Sequence, residues 1–144
     1  MLTEKELAGL LPEVELLARR AGEAILAFHK TGTEVIAKDD GSPVTAADLA
    51  SDAILSPALA ALTPSIPVVS EEGVAAGRVP DVSGGSFWLV DPLDGTKEFI
   101  AGTGEFTVLV GLVLAGVPTL GVMYGPVSGE MFSASGPGAA WEIT

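Results

Sequence analysis

The sequence has no cysteine. That excludes disulfides, thiolate catalysis and zinc–sulfur sites together, and it suits a cytoplasmic location. Histidine occurs once, at position 29. A zinc site would lack a second nitrogen or sulfur ligand, and His29 reads instead as a charge partner near the end of a helix. Basic residues are scarce: seven Lys and Arg stand against nineteen Asp and Glu, for a net charge of −12. A nucleic-acid binder needs a basic face that so few cations cannot supply. An acidic chain that handles an anionic substrate needs cations to screen the encounter, which points toward a metal. The start, "MLTEKELAGLLPEVELLARR", lacks a basic segment followed by an apolar core and is not read as a signal peptide. Residues 106–129 carry no charge, but Gly111, Gly116, Pro118, Gly121, Gly125 and Pro126 interrupt them. β-Branched residues are frequent there and "LAGVPTL" reads as a hairpin, so a sheet buried on one or both faces is expected rather than a transmembrane segment.

What is present is enough for one domain. The chain has 144 residues, of which 48% are hydrophobic and 18% charged, and the expectation is a single domain over 1–144. Thr3 and Glu6 form a capping box. Leu7, Leu10, Leu11, Val14, Leu17, Ala18, Ala21, Ile25 and Phe28 then recur with helical spacing, predicting an amphipathic helix that ends near Gly32. "TEVIAK" reads as a strand and "DDGSP" as a turn. Thr45 starts a second helix to about Leu62, with Pro57 as a point of bending or restarting. "IPVVS" is a strand that ends at Ser70, Glu71 and Glu72. Gly73 to Ser86 reads as a mobile loop. "FWLV" is a buried strand feeding Asp91, Thr96 to Ile100 a helical turn, and strands follow at about 105–114, 117–124, 129–134 and 139–143. Two early helices followed by an antiparallel meander make an α+β pattern.

The chemistry concentrates in "LVDPLDGTKEF". Asp91 and Asp94 leave one strand end, and Glu71 and Glu72 leave another. If these strands are neighbours, the four carboxylates crowd one rim and raise one another's pKa. A hard divalent cation such as Mg²⁺ is the simplest neutraliser, and a pair of such ions can clamp a phosphoryl oxygen. The same letters also suit a plain type I turn with Pro at its second place. The Thr96 hydroxyl could orient an attacking water if it hands its own proton to a base, and Asp48 is the candidate; Thr45-x-x-Asp48 equally suits a helix start. Gly95 and Thr96 are candidates to offer N–H groups to a phosphate. Lys38 and Lys97 are candidates for phosphate contact, or solvated surface lysines. Ser70 has no Gly-x-Ser-x-Gly frame and no usable His, and "GTGEF" lacks the Lys of a P-loop.

"KDDGSPVTAAD", "VSEEG" and "WLVDPLDGTKEF", in this order and spacing, resemble the inositol monophosphatase superfamily of Mg²⁺-dependent, often lithium-sensitive phosphatases. "DPLDGTKEF" followed by "GEFTV" and "GVMYGPVSGEMFSA" is similar to its CysQ branch, the 3′(2′),5′-bisphosphate nucleotidases. The resemblance covers essentially the whole chain. It implies two helices packed on a largely antiparallel sheet, as in the N-terminal half of the α-β-α-β-α fold of that family. It implies removal of the 3′-phosphate of adenosine 3′,5′-bisphosphate to give AMP, with inositol phosphate or a sugar bisphosphate as the rival substrate, and a non-catalytic Mg²⁺- and phosphate-binding fragment as the rival role. By position, Glu71, Asp91 and the Leu93 carbonyl hold one Mg²⁺, and Asp91 and Asp94 share a second, with two or three ions in all. Glu71 and Thr96 orient the water, Asp48 bonds to Thr96, and Gly95 and Thr96 contact the phosphate; Glu71 and Lys38 complete the candidate substrate contacts. Glu72 matches the second acid of the pair and is not the usual direct ligand. Family members carry a second half with a further aspartate in a Trp-Asp-x-Ala-like motif. Trp88 and Trp141 are the only tryptophans and neither precedes Asp. The expectation is therefore an N-terminal half with the C-terminal half absent: weakly active or inactive alone, exposing an apolar sheet edge, with a homodimer and peripheral attachment to the inner membrane face left open.

Overall fold

The computed structural model describes residues 3–31, 35–37, 43–77, 79–135 and 141–143. The first helix, α1, spans Glu4–Thr31. Its capping box forms as the sequence predicts: Thr3 N–H donates to Glu6 Oε1 at 3.2 Å, and Glu6 N–H donates to Thr3 Oγ1 at 3.1 Å, satisfying amides that the first turn leaves without helical partners. Leu7, Val14, Leu17, Ala18, Ala21 and Ile25 form its buried stripe. Pro12 sits inside α1 on the solvent side, where water can satisfy the carbonyl one turn back that loses its amide partner.

Two short strands follow, β1 (Val35–Ala37) and β2 (Pro43–Thr45), paired antiparallel with Val35 opposite Thr45. The sequence reading missed β2 and placed Thr45 in the helix; Thr45 is the last residue of the strand. The turn expected at "DDGSP" lies largely outside the described residues. The second helix, α2, runs over Ala46–Leu62 without interruption. Pro57 neither stops nor restarts it, because Pro57 and Ala53, whose carbonyl it leaves without an amide, both lie on the exposed side.

The main sheet has six strands in the order β3-β4-β5-β6-β7-β8. They are Val68–Ser70, Phe87–Asp94, Thr107–Leu114, Val117–Tyr124, Met131–Ser135 and Trp141–Ile143. Only β3 and β4 run parallel; every other neighbour is antiparallel. Among the described residues there are also two five-residue helices, α3 (Glu71–Ala75) after β3 and α4 (Thr96–Ile100) after β4. The first corrects the expectation of a loop from Gly73: Ser70 Oγ accepts the Gly73 N–H at 2.8 Å and caps a helical turn. The β5–β6 turn at Ala115 and Gly116 has φ of 50° and 78°, the type I′ pattern that suits the twist of a two-residue hairpin.

α1 and α2 cover one face of this sheet. Register puts Trp88, Leu112 and Leu120 in one row across that face, and Val90, Val110 and Val122 in the next; all six are buried. The Trp88 indole N–H donates to Thr63 Oγ1 at 2.7 Å beneath α2, giving a buried polar atom the partner it needs. Between and beside these rows the alternate residues point the other way. Leu89, Met123 and Phe132 are 48%, 38% and 39% exposed. "FWLV" is thus buried on one side only, and among the described residues Leu89, Met123 and Phe132 expose apolar surface on a face of the sheet.

Candidate active site

The parallel pairing of β3 with β4 sets Ser70 beside Val90. The next residue of each strand is an acid, Glu71 and Asp91, so the two carboxyls meet at the strand ends. Asp91 is half-buried and its side chain is hydrogen-bonded to that of Glu71. Burial pushes its pKa from 3.8 up to about 7, aided by the charges of Glu71 and Asp94 and by that hydrogen bond, while the Leu93 N–H pulls the other way. Asp91 Oδ1 is buried with no hydrogen-bond partner.

Past Asp91 the β4–β5 register shifts until Asp94. Pro92 and Leu93 turn inward and are buried, whereas Asp94 is exposed. Gly95 then adopts φ 94°, and a Cβ there would stand 2.9 Å from the Glu105 carbonyl oxygen, so only glycine fits without displacement. α4 follows at once, held by Phe99 edge-on to Phe106 with centroids 5.3 Å apart. This places Thr96 beside α2: its Oγ1 donates to Asp48 Oδ1 at 3.0 Å, with a longer approach to the Leu93 carbonyl at 3.3 Å. Asp48 is buried. A hydroxyl has one proton; directed at Asp48, it leaves an oxygen lone pair able to accept from a water.

Three of the four expected carboxylates are thus linked: Asp91 to Glu71 by a hydrogen bond, and Asp91 to Asp94 through charge. Glu72 is buried in α3, on a neighbouring position of the turn. Among the described residues no group of three or more His, Cys, Asp or Glu stands arranged to hold a metal ion. The carboxyls repel one another, and a proton between Glu71 and Asp91 relieves that repulsion. The donor set nevertheless fits a hard cation: it is all oxygen, and it includes a buried carboxylate oxygen without a partner. Lys97 is exposed. Lys38 lies outside the described residues, as does the side chain of His29. Sequence reasoning overlooked Ser51, whose Oγ donates to the Pro92 carbonyl at 2.7 Å; its place three residues after Asp48 on one helix was the available signal.

Residues 9–142 match the inositol monophosphatase family. This chain belongs to that family. Among its relatives, the 3′(2′),5′-bisphosphate nucleotidase CysQ of Escherichia coli K12 is 48% identical over 92% of this chain and 54% of its own length. CysQ of Aggregatibacter actinomycetemcomitans is 43% identical over 87% of this chain and 46% of its own. Of solved structures of similar fold, the suhB protein of Bartonella henselae superposes with a TM-score of 0.82 at 25% identity, covering 93% of this chain and 52% of that one. CysQ of Bacteroides thetaiotaomicron, at 36% identity, has a TM-score of 0.66 over 96% of this chain and 49% of that one. The chain spans about half the length of the curated family members it matches. The family assignment and the α+β architecture of helices on a mostly antiparallel sheet agree with the sequence reading.

Proposed function

We propose that the chain is the N-terminal, metal-holding half of a Mg²⁺-dependent phosphomonoesterase that takes the 3′-phosphate from adenosine 3′,5′-bisphosphate, giving AMP and phosphate. The observation that carries this reading is the meeting of Glu71 and Asp91 at the ends of two parallel strands, next to a Thr96 hydroxyl already directed at buried Asp48. The nucleotide substrate rests on the likeness to CysQ nucleotidases.

Glu71, Asp91, Asp94 and the Leu93 carbonyl would hold Mg²⁺, two or three ions in all. The metal supplies positive charge against the phosphate oxygens. The chain's own residues do the remaining work. Thr96 donates to Asp48, accepts from the water that attacks phosphorus, and with Glu71 fixes that water's direction. The water oxygen bonds to phosphorus as the bond from phosphorus to the 3′-oxygen breaks, and one proton of that water ends on the departing 3′-oxygen while the other stays on the phosphate. Gly95, Thr96 and Lys38 are assigned to the phosphate. A cytoplasmic location, and completion of the site by a second half or a second copy, belong to the same reading. Because the chain spans about half of its relatives, a non-catalytic fragment that binds Mg²⁺ and phosphate is the second reading.

Phosphate release from adenosine 3′,5′-bisphosphate and from inositol 1-phosphate, with Mg²⁺, tests the substrate. Turnover of the nucleotide above the inositol ester supports it; the reverse order overturns it. Calorimetry with Mg²⁺ tests the metal assignment. Loss of binding in Asp91→Asn and Asp94→Asn is expected, and unchanged binding in both removes the metal from the site.

A further inference from the structure

Where β4 departs from its ladder with β5, between Asp91 and Asp94, the backbone loses its regular partners while Pro92 and Leu93 are buried. Buried carbonyls need acceptor bonds from elsewhere. A side-chain hydroxyl supplies one. The Pro92 carbonyl accepts from Ser51 Oγ at 2.7 Å, while Thr96 Oγ1, whose proton goes to Asp48, only comes within 3.3 Å of the Leu93 carbonyl. Pro92 has no N–H, so this carbonyl is its one backbone group that can be tied by a hydrogen bond. Ser51 is fully buried on α2, three residues after Asp48 and on the same face. One helix face therefore grips the bend at both ends, Ser51 at Pro92 and Asp48 at Thr96.

We propose that Ser51 is a positioning residue: by holding the Pro92 carbonyl it sets the spacing of Asp91, the Leu93 carbonyl and Asp94 toward a bound cation. This rests on the phosphatase reading for what the bend binds, but not for how the bend is held. A simple packing role would give Ser51 the same burial, so the two need separating. Thr63 provides the comparison. It directly follows the last residue of the same helix, is buried, and accepts the Trp88 indole N–H at 2.7 Å. It too joins α2 to β4, but at a residue three before Asp91, roughly 10 Å along the strand.

Ser51→Ala and Thr63→Val in the full 144-residue chain each remove one buried hydroxyl bond to β4, and both are expected to lower Tm. Two further measurements distinguish them. In metal-free protein, amide hydrogen exchange at residues 93–96 is expected to rise in Ser51→Ala and stay at the wild-type rate in Thr63→Val. By calorimetry, Mg²⁺ Kd is expected to rise roughly tenfold in Ser51→Ala and to be unchanged in Thr63→Val. Wild-type exchange at 93–96 in Ser51→Ala, or equal weakening of Mg²⁺ by both variants, overturns the proposal. If the wild-type chain itself binds no Mg²⁺, the metal reading fails, and the exchange result alone decides whether Ser51 holds the bend. Should Ser51→Ala not fold, Ser51→Cys, which keeps the volume and a weaker donor, is expected to give the same ordering with smaller amplitude; no difference from wild type overturns the proposal there too.

Discussion

The two faces of the six-stranded sheet are built from the same strands, and often from adjacent residues, yet they have different fates. Trp88 and Val90 lie under α2 and are buried, while Leu89 between them is 48% exposed. Leu109, Met123 and Phe132 share the outer face with Asp91 in one cross-strand row. They line an open trough of about 960 Å³ that reaches Glu71 and Asp91 at one end. Hydrophobicity alone therefore does not decide what a face packs against; the long helices α1 and α2 do, and both lie on one side. The candidate site sits where β4 crosses from the outer row at Asp91 to the inner layer at Leu93. That crossing lets carboxylates at the trough's end share one bend with a threonine held by α2.

The largest effect should separate the faces directly. Trp88→Ala empties a fully buried site and strands Thr63, and it is expected to cost about 3–5 kcal/mol in urea unfolding. Phe132→Ala on the outer face is expected to cost about 1 kcal/mol or less. Equal losses would mean that the outer face is covered in solution and would break the comparison; sedimentation would then reveal the self-association responsible.

Next in size is the crossing itself. Gly95→Ala forces a Cβ against the Glu105 carbonyl at φ 94° and is expected to cost about 1–3 kcal/mol. It should also loosen the Thr96–Asp48 bond, read as faster amide exchange at the start of α4.

The charge at the trough's end gives a signed pH dependence. Asp91 binds its proton more tightly folded, at about 7, than at its ordinary value of 3.8. The folded state thus holds more protons between these values, and stability falls as pH rises through that window. Urea midpoints in EDTA should drop between pH 5 and pH 8 more steeply for the wild type than for Asp91→Asn. If Asp91 holds Mg²⁺ as proposed, the ion would compete with the same proton, and its affinity should climb as pH rises through about 7. A pH slope identical in both proteins would remove Asp91 as its source.

The smallest effect lies at the far end of the hairpin. Ala115 holds φ 50° in the type I′ turn, a left-handed conformation that penalises a Cβ. Ala115→Gly is expected to stabilise by up to about 1 kcal/mol, measured by thermal unfolding, without altering exchange at the 93–96 bend.

Much of this was legible locally. The Thr3–Glu6 box and the helical recurrence from Leu7 to Ile25 located α1, because a long amphipathic stripe repeats its signal many times. The 117–124 strand was read to the residue, since Ala115-Gly116 punctuates it sharply. Asp91, Asp94, Thr96 and Asp48 stood out because short polar side chains at strand and helix ends are few in an apolar chain. Less was legible where the signal is short or distant. β2 is three residues containing a proline, and its strand character comes from pairing with β1. α3 hid in a glycine-containing stretch because its cap, Ser70, was read as the end of a strand. Ser51 carries no local signal in "DLASDA" beyond its spacing from Asp48, because its partner lies 41 positions away.

Periodicity, caps and turn chemistry are properties of neighbouring residues, and from them alone follow the two helices, the meander and the acid-rich bend after "FWLV". Which face of the sheet the helices cover, that β3 lies parallel to β4 and so brings Glu71 to Asp91, and that α2 clasps the bend through Asp48 and Ser51 depend on segments far apart in the chain. Those pairings are chosen by burial and by the need to satisfy buried polar atoms, conditions that come into force only once the whole chain has packed.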